Sequence, residues 1–286
     1  MRGSAAARRR AAGRPAVPAR GCLPVAARGR GGAAGGGGRG TRCGAGKFHE
    51  EVMRAGPAPA GAPRGPPADL TVRPCRAAEL GGASLVRAWS LKRYPPGREW
   101  SSRRDREGRT SVETARLQEL YAGEPEAVCD TEICLVASTS DPGIIAELSA
   151  DTEPGGLAGL VGADGTALVG TLDVSLEAQG DQYLFPGSEC PAYISSMGVV
   201  EAARRRGVAS ALLEGARTAA ADLGAAGLFV VTMAVNERAR ALYSAHGFEL
   251  VKEESVDKAT RRGGCLDGEE GKARTVLLVD SGFRPK

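Results

Sequence analysis

The run Tyr193-Ile194-Ser195-Ser196-Met197-Gly198-Val199-Val200-Glu201-Ala202-Ala203-Arg204-Arg205-Arg206-Gly207-Val208-Ala209-Ser210 decides how this chain folds. Tyr193 to Val200 reads as a strand, short and rich in apolar residues. From about Gly207 to Leu223, the apolar Val208, Leu212, Ala216, Ala219 and Leu223 stay on one helical face, so the strand leads through a basic turn into a helix. The first amides of such a helix lack an intrahelical acceptor and lie at the positive end of its dipole. Together these make an anion site. Gly207 lets the backbone approach a pyrophosphate closely, and small Ala209 keeps the next turn uncrowded. Arg204, Arg205 and Arg206 add long-range attraction for a polyanion.

Downstream, Leu228 to Val235 is a continuous apolar run, as a strand buried on both faces requires. Asn236 caps a helix that runs to about His246, and strands follow near Phe248 to Lys252 and Thr275 to Val279, separated by the charged loop Glu253 to Arg274. Upstream, Leu70 to Arg73 is a short strand ended by Pro74, and Ala77 to Ser90 a helix with Ala78, Leu85 and Trp89 facing the core and Arg87 on its opposite side. After the polar segment Tyr94 to Thr110, Val112 to Tyr121 is a second helix and Ile133 to Ala137 a strand. Asp141 to Gly156 reads as a surface insertion, with room for a helical turn over Ile144 to Leu148. Leu160-Val161, the turn Ala163-Asp164-Gly165 and Leu168 to Leu176 form a β-hairpin. Strands alternating with helices predict an α/β domain.

The front of the chain is different. Residues 1–49 hold ten Arg and one Lys and no acid, so the remaining 27 basic residues face all 34 Asp and Glu and the rest of the chain is acidic. We divide the chain into a disordered basic presequence, 1–49, a Pro/Gly-rich linker, 50–67, and one domain, 68–286. Arg-rich, acid-free composition at an N-terminus fits a transit peptide better than a nucleic-acid-binding arm, so no nucleic-acid partner is expected. No stretch reaches the roughly 18 apolar residues of a membrane span, so no membrane partner is expected and the protein is expected to be soluble and intracellular. Seven scattered cysteines without a C-x-x-C spacing predict reduced thiols and no metal. With His49 in the presequence, His246 is the one domain histidine, at a helix end where imidazole commonly satisfies carbonyls; a His-dependent hydrolase is not expected. Two glycine patterns, Gly29 to Ala34 and Gly44 to Lys47, mimic nucleotide-binding loops, but the first lacks a preceding strand and the second has Thr41 and Phe48 at defining positions.

The strand, the Arg204 to Ala209 turn, the helix Asn236-Glu237-Arg238-Ala239-Arg240-Ala241-Leu242-Tyr243 and the closing Gly247-Phe248 resemble, in that order, the core of the GNAT superfamily of N-acetyltransferases. The resemblance is clear over Tyr193 to Lys252. It implies a mixed, mostly antiparallel sheet with helices on both faces and a splayed parallel strand pair. It implies acetyl-CoA as co-substrate, with the backbone of Met197, Gly198 and Val199 pairing with the pantetheine arm as a further strand would. The amides of Arg204, Arg205, Arg206, Gly207, Val208, Ala209 and Ser210 would hold the pyrophosphate. Asn236 would contact pantetheine or only cap its helix, and Tyr243 would protonate the departing thiolate. On the residues alone, Tyr243 fits a core tyrosine as well. The reaction implied is direct attack by an amine on the thioester, which needs a base; Asp173, Glu189 and Glu201 are candidates and none is assigned. A basic presequence before such a core resembles plastid acetyltransferases of plants and algae, which modify protein α-amines and lysine side chains. A protein or peptide acceptor and a chloroplast location are therefore expected, with the mitochondrion second. A small amine or amino-acid acceptor, or a CoA-binding module without turnover, are the alternatives.

Overall fold

The computed structural model describes residues 65–91, 99–176, 190–255, 257 and 274–285. The presequence, most of the linker, both glycine patterns, Glu189 and most of the Glu253 to Arg274 loop lie outside these residues. Along the chain come β1 (Thr71–Pro74), α1 (Leu80–Ser90), α2 (Glu99–Leu120), β2 (Glu132–Thr139), α3 (Pro142–Ser149), β3 (Ala167–Leu176), β4 (Ala192–Val199), α4 (Val208–Asp222), β5 (Leu228–Met233), α5 (Glu237–Ala245), β6 (Phe248–Glu253) and β7 (Thr275–Asp280). The strands form one sheet in the order β1-β2-β3-β4-β5-β7-β6. Every pairing is antiparallel except β4 with β5. The mixed sheet and its single parallel pair are as expected.

Successive strand residues point to opposite faces, and β3 shows what covers each. Gly170 faces Val208 and Leu212 of α4, whereas the Thr171 side chain meets Arg87 of α1. On the α4 side, Arg217 pairs with Asp280 of β7 and lies over the Phe248 ring of β6, against which Tyr243 of α5 packs. The sheet is thus covered by α1 on one face and by α4 and α5 on the other.

Five expectations need correction. Helix α2 starts at Glu99 rather than near Val112, because its polar first half is held without an apolar stripe. The Arg106 guanidinium lies 3.9 Å from the centre of the Trp89 ring, and Arg103 reaches Asp151 at 2.8 Å. The supposed surface insertion contains α3, a helix of the core: Asp141 caps it by accepting from the Ile144 N–H at 2.9 Å, and Ile144 and Leu148 are fully buried. The predicted hairpin reduces to one bridge, Val161 with Ala167, while β3 takes β2 and β4 as partners. Arg87 is buried rather than outward. Among the described cysteines, Cys75, Cys129 and Cys134 are free, but Cys190 is disulfide-bonded, against the expectation of reduced thiols.

Candidate active site

Strands β4 and β5 stay together for three residue pairs, Ala192 with Leu228, Tyr193 with Phe229 and Ile194 with Val230. Immediately beyond, β4 turns away. On β3 the step from Thr171 to Asp173 faces the longer step from Gly198 to Ser195, so β4 carries one extra residue there. Ser196 takes it up in a left-handed conformation, φ 52°. Gly198 pairs with Thr171 and the Val200 N–H donates to the Val169 carbonyl at 3.0 Å, so both residues direct their hydrogen-bonding groups into the sheet. By alternation Val199 faces the gap that β5 has left. Gly198 therefore contributes its missing side chain: a Cβ there would lie 2.7 Å from the Ser90 Cβ at the end of α1. Arg204 folds back and its Nε donates to the Val199 carbonyl at 3.1 Å.

At the far end of this open edge the chain builds an anion cradle. Arg205 and Gly207 both have left-handed backbones, φ 62° and 72°, a conformation that turns successive N–H groups to one side. The first bond of the α4 ladder runs from the Ala211 N–H to the Gly207 carbonyl, so the amides of Val208, Ala209 and Ser210 precede it. Val208 is buried and anchors the turn. Arg206 is not a free cation here: its guanidinium bonds Asp141, the α3 cap, at 2.9 Å and braces the turn from outside. The exposed Arg205 stands beside these amides.

Asn236 caps α5, its side chain accepting from the Ala239 N–H at 3.3 Å. Two turns on, Tyr243 is 5% exposed, with its ring centre 5.6 Å from that of Phe248. Burial, with a smaller contribution from Tyr193, pushes its phenol up to about 12, so it keeps its proton at neutral pH. Tyr193 stacks on Phe229 at 5.1 Å, in the middle of the three pairs that join β4 to β5. Tyr243 thus packs on Phe248 of β6 and lies near Tyr193 of β4.

The candidate bases fare differently. Asp173 is 1% exposed and is bonded by Arg87, with Arg116 at 3.7 Å, so its carboxylate is committed to a buried ion-pair cluster. Glu201 is exposed at the turn after β4. Neither is placed as a base. Three contacts escaped sequence reasoning: Arg87 with Asp173, Arg206 with Asp141, and His246 Nε2 with the Ser210 hydroxyl at 2.9 Å. The last joins the end of α5 to the first turn of α4. Among the described residues no group of His, Cys, Asp and Glu is arranged for a metal, and no helix is long and apolar enough to cross a membrane.

Residues 117–248 match the model of the acetyltransferase (GNAT) family, a span that holds the open edge, the cradle, Asn236 and Tyr243. Over that span the chain is similar to a GNAT-family acetyltransferase domain. Solved structures similar to it include Arabidopsis thaliana NAA60 in complex with acetyl-CoA, 17% identical, covering 73% of this chain and 97% of that one with a TM-score of 0.45. Another is Ard1 from Thermoplasma volcanium, 15% identical, covering 74% and 97% with a TM-score of 0.41. A third is the aminoglycoside 6'-N-acetyltransferase AAC(6')-Ih from Acinetobacter baumannii, 14% identical, covering 63% and 90% with a TM-score of 0.41. No curated protein matches the chain. The GNAT domain begins to match within α2, so β1 and α1 lie ahead of the matched span.

Proposed function

We propose that this GNAT domain moves acetyl from acetyl-CoA to amines of proteins, at N-terminal α-amines, lysine side chains or both, by direct attack on the thioester. The observation that carries the reading is the strand pair that parts after three residues, leaving Val199 facing a gap that ends at the cradle. Pantetheine would lie along that gap as a strand lies beside another, its pyrophosphate on the amides around Gly207. The acyl carbon would then sit where β4 and β5 part, within reach of the Tyr243 helix. Acetyl-CoA consumption with a peptide library tests the acceptor class. Turnover with small amines but no peptide would replace the protein acceptor, and binding without turnover would make the domain a CoA-binding module. A proteome-wide acetylation profile with the protein present and absent then names the substrates.

Gly207→Val should weaken acetyl-CoA binding by at least about tenfold, roughly 1.4 kcal/mol. Two effects add: a β-branched residue is strained at φ 72°, and its side chain fills the space beside the amides. Calorimetric titration of the folded variant measures this, and unchanged affinity would leave the turn as a helix start alone.

We also propose that residues 1–49 are a transit peptide to the plastid, with the mitochondrion as second choice, supported by ten Arg against no acid. Deleting Met1 to Ala60 should leave acetyl transfer intact and abolish organelle import of a fluorescent fusion. Import of the truncated fusion, or loss of activity on truncation, refutes the division.

A further inference from the structure

The chain enters its domain beside the cradle turn. A Cβ on Gly207 would lie 3.4 Å from the Pro66 Cβ and 3.9 Å from its Cγ and Cδ, so the Pro66 ring covers Gly207 from one side. Pro67 behind it is buried, and its carbonyl accepts from the Leu70 N–H at 3.1 Å. Asp69 anchors this segment: its carboxylate accepts from the Thr139 hydroxyl at 2.8 Å and from both the N–H and the hydroxyl of Ser140. The Ser140 bonds, and Thr139 after them, lower the Asp69 carboxyl to about 2, so the anchor is charged throughout the neutral range. Next to Ser140, Asp141 donates its N–H to the Thr139 hydroxyl oxygen at 3.1 Å and holds Arg206 with its carboxylate at 2.9 Å. The corner between β2 and α3 therefore grips the cradle turn twice, at Arg206 directly and at Gly207 through Asp69 and Pro66. The second grip comes from residues ahead of the span 117–248 that matches the family model.

The turn has reason to be gripped. Arg205 is left-handed at φ 62°, a conformation that a residue with a Cβ keeps only where its surroundings fix it. Gly207, at φ 72°, has by itself the widest choice of backbone conformations. A loose turn would point its amides in many directions, and any ligand would have to order them on binding. Proline suits the fixing role, because its ring locks φ and little freedom is lost when it is held.

We propose that residues 65–69 serve the cofactor site rather than the linker: Pro66, anchored through Asp69, is a positioning residue that holds the Arg205 to Gly207 backbone in its anion-binding shape. The proposal rests on the cofactor reading given above. It moves the start of the domain forward to Gly65. Removal of the presequence that runs past Gly65 would therefore cost the enzyme affinity for acetyl-CoA, although none of the residues lost bears on the chemistry.

The test uses the full chain with Pro66→Gly, Asp69→Ala and the two combined. Both positions are exposed, so the variants should fold. Calorimetric titration with acetyl-CoA should show each single variant binding at least about threefold more weakly than wild type. The double variant should bind no more weakly than about the worse single one, because both changes cut one chain of contacts. Asp69→Asn, whose amide oxygen still accepts from Ser140, should fall between Asp69→Ala and wild type. A second measurement needs no cofactor: backbone order parameters of Arg205 to Gly207 by NMR should be near about 0.85 in wild type and below about 0.7 in Pro66→Gly and Asp69→Ala. A merely structural role would lower the melting temperature and leave affinity and these order parameters unchanged. Wild-type affinity in both single variants, or an equally rigid turn, overturns the proposal and leaves the cofactor reading standing. Absence of acetyl-CoA binding by wild type overturns both.

Discussion

Replacing Tyr243 by Phe should lower the single-turnover rate of acetyl transfer by roughly 10- to 1,000-fold while acetyl-CoA affinity and folding change little. The ring is the part that packs, with its centre 5.6 Å from that of Phe248, and Phe preserves it. On the proposed reading, the hydroxyl is the part that would react. Burial pushes its titration up to about 12, so across the whole neutral range it holds the proton that a departing thiolate requires. No alkaline loss of activity below about pH 10 should be traceable to this group. Product release masks a smaller effect in steady state, so single-turnover transfer is the measurement. An unchanged rate would return Tyr243 to a core tyrosine with the leaving-group acid supplied elsewhere.

Asp173→Ala should destabilise the domain by about 3 kcal/mol, the low end of what removing one partner of a buried ion pair costs. Arg87 is 5% exposed and Asp173 1%, so the guanidinium would stay behind in a site that water does not reach. The cost stays at the low end because Arg87 keeps Glu113 and approaches Cys134 Sγ at 3.2 Å and the Thr171 hydroxyl at 3.5 Å. Thermal unfolding should fall by roughly 6–12 °C for a domain of this size. Removing both charges, as Arg87→Met with Asp173→Leu, should recover most of the loss, because no buried charge is then left alone. A single variant that melts within about 2 °C of wild type would mean that solvent reaches Arg87 after all.

These two residues also mark what sequence can and cannot disclose. The place of Tyr243 on α5 was legible because its relation to Asn236 is a matter of helical phase within seven residues. The strand-turn-helix around Gly207 was legible for the same reason, since the unpaired first amides and the left-handed glycine are local consequences of the residues present. Arg87 was not legible, because its partners stand 26 and 86 residues away and its burial exists only once they converge. The first half of α2 was missed because arginines over Trp89 hold it in place of an apolar face. The expectation that Leu228 to Val235 is buried on both sides held only in part: Leu228 to Val230 are buried, whereas Val231 to Met233 are half-covered because their neighbour strand has bent away.

That departure gives the molecule a seam. Four strands lie on one side of it and three on the other, and the sheet itself crosses it by three residue pairs. A sheet interrupted in this way behaves as two plates on a short hinge, stitched further by α4, whose Arg217 reaches Asp280 on the far plate. An extended ligand laid along the gap supplies the missing rungs, so occupancy would stiffen the whole domain rather than a pocket alone. The same bond that recognises the substrate would close the hinge on which its acyl group rests.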